Sequence, residues 1–435
     1  MTESQSPQPR RVARSLLVLA VVGALSLVGI VAAPSSSASG KFDATVDQTI
    51  ADIQSYWAKT MPAVYGKAYD PIPSDRLHPY SASNPPPACG GHGTTPYQQV
   101  AGNAFYCSQG DFVAWDAQGL LPKLTKQFGN MATALVLAHE WGHAIQARVG
   151  FDTSQTVYLE QQADCFAGAW TAHVAHGDSS LSMDDTDLNN ALAGFLQLRD
   201  PSGTDGSQDG AHGNGFDRVR AFQDGFEGGA KKCAGYEDNP PPVTESAYTS
   251  EADYLDGGNM SLADVLPAVQ SALESYYSTS APKVVAYDSG NAPACDGGTD
   301  GGVLVDSVTY CPSTNTIAYD RSEMLKAHDD IGDFASGVLL AAEWSSSVQH
   351  DKGQAIGTAA ARDTADCLAG SFTSSLDPDN QSSSSTQISL SPGDLDEVVR
   401  MLVAADSNGG DRGTAFSRVA AFRTGYFQGA DACKA

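Results

Sequence analysis

The feature that most constrains the fold of this chain is an internal repeat with a spacing of about 200 residues. Three separated blocks match in order: ADCFAG at 163–168 with ADCLAG at 365–370, Glu140-Trp141 with Glu343-Trp344, and Phe216 with Phe416. The spacings are 202, 203 and 200 residues respectively, so the register changes by only a few residues across the whole unit. We therefore interpret the chain as two copies of one domain.

The repeat divides the 435 residues into four predicted segments. They are a leader at 1–40, a first domain at 41–236, an acidic linker containing prolines at 237–259, and a second domain at 260–435. With 25 Lys and Arg against 51 Asp and Glu, the formal net charge is −26. A chain this acidic lacks the basic face that a nucleic-acid-binding protein needs, so no nucleic-acid partner is expected.

The N-terminus predicts export. Arg10, Arg11 and Arg14 precede an uncharged apolar run at 15–33, which is followed by small residues up to Gly40. A cleaved signal peptide has this order of basic, apolar and small-residue regions. The run is also just long enough to span a bilayer, so a retained signal anchor is the alternative. We expect a secreted protein, or one held at the cell envelope through this segment alone.

The eight cysteines follow the repeat, with four in each copy. Four cysteines allow three connectivities, and an exported domain is expected to form two disulfides. We favour pairing first with second and third with fourth, because the first two flank one short segment and the last two join a helix to the C-terminus of the domain. The predicted pairs are Cys89–Cys107, Cys165–Cys233, Cys295–Cys311 and Cys367–Cys433. The alternative reading makes Cys165 a metal ligand.

Hydrophobic periodicity predicts a mainly α, α+β fold for each copy. Each copy opens with an amphipathic helix and continues through a short β hairpin, at about 105–115 and 308–319. The remaining helices of the first copy are predicted at about 131–149, 155–176, 186–199 and 216–228.

The predicted helix at 131–149 carries the pattern H-E-x-x-H, as His139-Glu140-Trp141-Gly142-His143. Residues four apart on a helix differ by about 40° around its axis, so both imidazoles point the same way and can share a metal ion. Glu140 follows His139 directly and can reach a metal-bound water without being a ligand. Two neutral histidines and a carboxylate base are the parts of a zinc hydrolase site.

A third ligand is available seventeen residues after His143, at Glu160 on the next predicted helix. Asp164 lies one turn beyond it on the same face. We assign Glu160 as the anionic zinc ligand and Asp164 as the acceptor that orients a ligand histidine. The reversed assignment is the alternative.

These blocks resemble the bacterial neutral zinc metallopeptidase family. The resemblance rests on the HExGHxxQ run from His139 to Gln146, on ExxADCxAG from Glu160 to Gly168, and on the later His212-Gly213, Arg218-Val219 and Gly225-Phe226 pairs. It covers nearly the whole first copy and also includes Tyr106-Cys107. It implies a gluzincin-like peptidase domain that binds Zn²⁺ through His139, His143 and Glu160 and uses Glu140 as the general base.

His212 lies in a glycine-rich loop before the last helix of the first copy. A loop histidine that reaches over a metal site can stabilise an oxyanion, so His212 is a catalytic candidate. The alternative is a surface histidine with no role in catalysis. Arg218 has an equivalent in the second copy, which favours a structural salt bridge over a catalytic role.

The second copy is an internal comparison. It replaces each of the four candidate groups at the centre: Ala342 stands for His139, Ser346 for His143, Arg362 for Glu160 and Arg412 for His212. Glu343, Asp366 and the four cysteines of the second copy persist. Because Asp366 persists without ligands beside it, Asp164 is also expected to have a packing role. We predict one zinc ion, bound by the first domain only.

The sequence therefore predicts an exported zinc-dependent metallopeptidase that acts on peptides or proteins outside the cytoplasm. A zinc amidase acting on cell-wall peptides uses the same ligand chemistry. The non-enzymatic alternative is a cell-envelope binding or scaffold protein built from metallopeptidase-like domains. Between these stands a peptidase whose degenerate second copy binds substrate, inhibits, or recruits a partner.

Overall fold

The structure is a computed structural model. It describes residues 36–208, 210–244, 248, 250–278, 280–295, 308–380, 388–406 and 414–433. The apolar run of the predicted leader lies outside the described residues. Within the described part of the chain, none of the helices combines the length and the apolar character needed to cross a membrane.

The first half is mainly helical, with one small sheet. Its helices are α1 (Ser36–Tyr65), α2 (Tyr97–Val100), α3 (Leu120–Phe128), α4 (Asn130–Val149), α5 (Thr156–Ala175), α6 (Asp185–Phe195) and α7 (Gly215–Ala234). The amphipathic pattern of the opening helix is confirmed, because Val46, Ile50, Ile53 and Trp57 are all buried. The apolar face of α1 covers α4, α5 and α7.

The sheet of the first half has three strands, β1 (Leu77–Tyr80), β2 (Ala104–Cys107) and β3 (Phe112–Asp116), in the order β1-β3-β2. The predicted hairpin is the antiparallel pair β2 and β3, in which Tyr106 stands opposite Val113. The parallel strand β1 was not predicted, because four residues containing Pro79 carry no strand periodicity. As a result β2 lies at an edge, facing α4.

Apart from α2, the described residues of the second half have the same order of elements. After the short helix α8 (Glu251–Leu255) it comprises α9 (Leu262–Tyr277), β4 (Lys283–Tyr287), β5 (Val308–Cys311), β6 (Thr316–Asp320), α10 (Arg321–Asp330), α11 (Asp333–Asp351), α12 (Ala359–Ser375), α13 (Asp394–Asp406) and α14 (Ala415–Gln428). Its sheet has the order β4-β6-β5, again with one parallel and one antiparallel pair.

The four predicted disulfides are confirmed: Cys89–Cys107, Cys165–Cys233, Cys295–Cys311 and Cys367–Cys433. The alternative for Cys165 is wrong, because its sulfur is bonded to that of Cys233 and is not free to bind a metal. In each half one disulfide ties the edge strand to the preceding loop. The other ties the helix with the ADC motif to the end of the last helix or the residues just after it.

Some helix predictions need correction. The last helix of the first half extends to Ala234 rather than ending at about 228, and it bends at Gly229, which has a positive φ of 66°. Helices α3 and α10 were not predicted at all. Both follow the sheet directly and pack on the next long helix. The two halves also share one continuous hydrophobic core.

Candidate metal centre

Helix α4 presents both histidines of the HExxH pattern on one face. The helix is buried along most of its length and ends at Gly150, whose left-handed conformation lets its N–H donate to the carbonyl of Gln146. The Nε2 atoms of His139 and His143 lie 3.2 Å apart. The four-residue spacing thus brings the two imidazoles to a single point.

Helix α5 brings the third candidate ligand to the same point. The helices α4 and α5 approach so closely at Gly142 that a Cβ there would lie 2.7 Å from the Cα of Ala163. This contact sets Glu160 opposite the histidines. Its Oε2 is 3.2 Å from His139 Nε2, and its Oε1 is 3.3 Å from His143 Nε2. One donor atom from each of the three side chains lies within 4.8 Å of the others.

The other nitrogen of each imidazole is held by an acceptor. Asp164 Oδ1 lies 2.6 Å from His139 Nδ1, and Gln146 Oε1 lies 3.0 Å from His143 Nδ1. The amide of Gln146 cannot turn over freely, because its Nε2 donates to the carbonyl of Leu159 at 2.7 Å. A neutral ring that keeps its proton on Nδ1 satisfies these acceptors and has its Nε2 lone pair directed at the glutamate.

Three lone-pair donors that converge on one point fit a cation. The set of two imidazoles and one carboxylate is one that zinc uses in catalytic sites, where a fourth position stays open for water. Asp164 lies on the far side of the His139 ring from this point, so the arrangement favours Glu160 over Asp164 as the ligand. Sequence reasoning did not give Gln146 a role, although its place three residues after His143, about one helical turn, was a usable signal.

Electrostatics agree with a cation site. Burial lowers the pKa of the His139 imidazole, but the carboxylates of Asp164 and Glu160 outweigh burial and raise it to about 10. Burial likewise raises the pKa of Glu160, and the neighbouring His143, His212 and His139 reverse this and hold it well below its usual value. The centre therefore stabilises positive charge between its carboxylate and its imidazoles.

Asp164 also forms a buried ion pair with Arg218, the residue for which the repeat predicted a structural salt bridge. The guanidinium of Arg218 donates twice to the carboxylate, from Nε and from an Nη, both at 2.9 Å. A further Nη donates to the carbonyl of Leu198 at 2.6 Å, and the guanidinium lies 4.5 Å from the ring centre of Phe195. This arrangement holds Asp164 in place against His139.

Glu140 is positioned by the edge strand. Its Oε2 accepts a hydrogen bond of 2.8 Å from the backbone N–H of Tyr106 in β2, and the side chain is nearly buried. An edge strand has backbone groups without a partner strand, and here one of them fixes the carboxylate beside the histidines.

His212 lies close to the centre on the loop before α7. Asp200 holds it through the backbone, where the N–H of His212 donates to Oδ2 at 2.6 Å, and through the ring, where Nδ1 lies 3.3 Å from Oδ1. The negative charge of Glu160 is the largest cause of a raised pKa of His212. About a third of its side chain is exposed. The structure thus brings His212 near the predicted ligands, whereas His173 lies apart beside Tyr56 and Asp52.

The equivalent region of the second half has a different ion pair. Arg362, at the position of Glu160, pairs with Glu343, which corresponds to Glu140. Glu343 still accepts from the N–H of its edge strand, at Tyr310, over 2.7 Å. Ser346 bonds back to the carbonyl of Ala342 instead of offering a ligand. A guanidinium thus supplies the positive charge beside this glutamate. Arg412, which the repeat places at the position of His212, lies outside the described residues.

The aspartate–arginine pair persists in the second half, where Arg418 Nε donates to Asp366 Oδ2 at 2.7 Å. This pair has no histidine beside it, because Ala342 stands at that position. The packing role predicted for the aspartate therefore accounts for its presence in both halves.

Comparison with known proteins gives one finding. The model of the family described as Putative neutral zinc metallopeptidase matches residues 30–236, a little under half of the chain. No curated protein and no solved structure matches. The matched range contains the whole centre formed by α4, α5 and the loop before α7, so this part of the chain is similar to a zinc metallopeptidase.

Proposed function

We propose that the protein is an exported zinc-dependent metallopeptidase that hydrolyses peptide bonds, with its active site in the first half. The observation that carries this proposal is the convergence of the His139 and His143 Nε2 lone pairs on the Glu160 carboxylate, with Glu140 next to them on α4. The family match over residues 30–236 supports the same reaction class.

The chain's own residues have distinct roles in this mechanism. His139, His143 and Glu160 would hold one zinc ion, which supplies a Lewis acid and lowers the pKa of a bound water to about 7. Glu140 accepts the proton of the attacking water and passes it to the leaving amine. The hydrogen bond from Tyr106 keeps its carboxylate aimed at the reaction centre while the proton moves.

His212 is proposed to stabilise the oxyanion. Its Nδ1 faces Asp200, which leaves Nε2 as the nitrogen available to a substrate. The raised pKa favours a protonated ring that donates to developing negative charge. The same loop keeps His212 partly exposed, as a group that meets a substrate must be.

We propose that residues 260–435 are a degenerate copy of the same domain that binds no zinc. The matching sequence blocks, the repeated strand order and the repeated disulfide pattern support this reading. The Arg362–Glu343 pair explains how the second copy keeps its buried glutamate without a metal ion. Zinc would be repelled by the guanidinium, so we expect one ion per chain.

Export is proposed from the N-terminal segment and from the four disulfides, since disulfides form and persist in oxidising compartments. The substrate would then be a peptide or protein outside the cytoplasm.

The test is a matched pair of substitutions, Glu140→Gln and Glu343→Gln. Both remove a carboxylate that accepts from an edge-strand N–H, but only the first lies beside the ligands. We expect Glu140→Gln to keep its zinc, measured by elemental analysis, and to lose about 10²–10⁴-fold in turnover of a mixed peptide library. Glu343→Gln should keep both zinc and turnover.

Full activity of Glu140→Gln on the library would refute the proposed mechanism. A wild-type protein purified without zinc would refute the metal assignment. Adding cross-linked cell-wall peptides to the library separates a peptidase from an amidase through the bond that is cut.

A further inference from the structure

A second group of metal-binding side chains lies in the other half of the molecule. Asp333 begins α11, and Asp394 and Glu397 lie in the first turn of α13. All three are buried, with exposed fractions of 3%, 4% and 6%. One carboxylate oxygen from each lies within 4.8 Å of the others. The equivalent of Asp333 at the start of α4 is Asn130, so this cluster does not copy a feature of the first half.

Each carboxylate is fixed by one backbone N–H. Asp333 Oδ2 accepts from Met260 at 2.8 Å, Glu397 Oε2 accepts from Phe334 at 2.8 Å, and Asp394 Oδ2 accepts from Ser391 at 2.7 Å. The second oxygen of Asp333, Oδ1, is also buried and has no hydrogen-bond donor among the described residues. A buried carboxylate oxygen without a donor calls for a proton or a cation.

The nearby cationic side chains are engaged elsewhere. Arg400 donates to the carbonyls of Ile331 at 2.8 Å and Asp330 at 3.0 Å. His328 contacts the carbonyl of Met260 through Nε2 and the carboxylate of Asp329 through Nδ1. Within the described parts of the chain, no ion pair reaches the three clustered carboxylates, and their mutual repulsion is not offset by a direct contact.

Three carboxylates this close cannot all ionise in a buried site unless a positive charge compensates them. Burial and the charge of Asp333 raise the pKa of Glu397 to about 8. Burial together with Asp333 and Glu397 raises that of Asp394 well above its usual value. The groups that face the cluster are Asp253, His328, Asp396 and Arg400, two acids and two bases that leave its charge unbalanced.

We propose that Asp333, Asp394 and Glu397 bind one calcium ion. The donors are all carboxylate oxygens, which suit a hard cation such as Ca²⁺ better than zinc. Three carboxylates that bind through one or both oxygens supply three to six of the six to eight oxygen ligands that Ca²⁺ takes. Ca²⁺ also tolerates irregular geometry and gives up its water more readily than Mg²⁺, as burial requires. This inference does not depend on the proposed peptidase activity.

A cation here would hold α13 in place against the first half. Asp396, on the same turn of α13, accepts from the N–H of Phe216 at 2.9 Å and pairs with Arg199 at 3.0 Å. Phe216 lies in the first turn of α7, the helix that carries Arg218, and Arg218 in turn holds Asp164 beside His139. Calcium is therefore expected to stabilise the whole molecule, not only its second half.

The test is calcium binding by the full chain, measured by isothermal titration after a chelator has removed bound calcium and the chain has been reloaded with zinc. We expect the wild-type chain to bind one Ca²⁺ that the Asp394→Asn/Glu397→Gln double variant does not bind. Glu323→Gln, which removes an exposed carboxylate from α10, is the matched control and should bind calcium as the wild type does. Equal binding by the wild type and the double variant, or no binding by either, overturns the proposal.

A second measurement needs no variant. Protons and Ca²⁺ compete for the same carboxylate oxygens, so the stabilisation by Ca²⁺ should grow as the pH rises. Millimolar Ca²⁺ should raise the thermal midpoint by a few degrees near pH 8 and by less near pH 5, where protons compete. The same rise with Mg²⁺ at equal ionic strength, or no rise near pH 8, overturns the proposal.

Discussion

At the scale of single residues, the candidate centre depends on acceptors that set which imidazole nitrogen carries the proton. Asp164 and Gln146 each face an Nδ1 atom, so both Nε2 atoms are free to bind the same cation. The second half offers a comparison without these histidines, because Ala342 and Ser346 stand at the matching positions of the sequence repeat. Gln349 still donates to a carbonyl of the next helix, that of Ala361 at 3.2 Å, but its Oε1 is buried without a partner in the described structure.

This contrast gives a prediction for Gln146→Leu, with Gln349→Leu as its control. Both variants lose a hydrogen bond that a glutamine side chain donates to a carbonyl of the neighbouring helix, so both should lose a similar amount of stability. Only Gln146→Leu frees a histidine ring to turn, and we expect it to weaken zinc binding by about 10–100-fold. Competition with a chromophoric chelator measures this. Equal zinc affinity in the two variants would show that Gln146 only joins the helices.

At the scale of elements, α5 and α7 cross at two glycines. A Cβ on Gly168 would lie 1.9 Å from the carbonyl oxygen of Phe222, and one on Gly225 would lie 1.8 Å from that of Cys165. The equivalent crossing of α12 and α14 has the same two contacts, at Gly370 and Gly425. The close approach brings Arg218 of α7 onto Asp164 of α5, so the crossing sets the environment of His139.

We predict that Gly225→Ala lowers the free energy of unfolding by about 1–3 kcal/mol or more, because the added methyl group must push two backbones apart. Gly235→Ala is the control, since Gly235 has ordinary helical dihedral angles and open space where its Cβ would stand. Urea unfolding measures both. A Gly225→Ala chain as stable as the control would mean that the crossing tolerates a wider spacing.

At the scale of the whole molecule, the two halves pack through α7 and α14 with approximate two-fold symmetry. Phe216 contacts Phe422, with ring centres 6.2 Å apart, and Phe222 contacts Phe416 over 6.4 Å. The repeat aligns Phe216 with Phe416 and Phe222 with Phe422, so one contact occurs twice with the partners exchanged. Symmetric dimers have interfaces of this kind. Here the two halves belong to one chain and share one core.

The shared core predicts that the halves unfold together. Phe216→Ala empties a fully buried site at the interface and should cost about 3–5 kcal/mol. Zinc release and the loss of helical circular dichroism should shift to lower urea in parallel. Leu325→Ala, at an exposed position on α10, should change stability by no more than about 0.5 kcal/mol. Two separate transitions, of which only one moves in Phe216→Ala, would contradict a shared core.

Much of the fold and of the candidate site was predictable from short-range spacing. The four-residue separation of His139 and His143, the helix that carries them and the disulfide pairs all follow from patterns that local geometry imposes on nearby residues. The repeat added a predicted division between residues that support the fold and residues that would bind a metal ion. These signals lie in the chain order itself, so they needed no knowledge of how the elements pack.

Tertiary packing decided the features whose partners are far apart in the chain. The parallel strand β1 exists only because β3 lies beside it, and Glu140 is positioned by the N–H of Tyr106 on a different element. The proposed calcium site joins Asp333 to Asp394 and Glu397 on α13, and no spacing rule along the chain connects these residues. Burial decides the chemistry of these carboxylates. Water solvates an exposed carboxylate, whereas a buried one must find a hydrogen-bond donor, a proton or a cation.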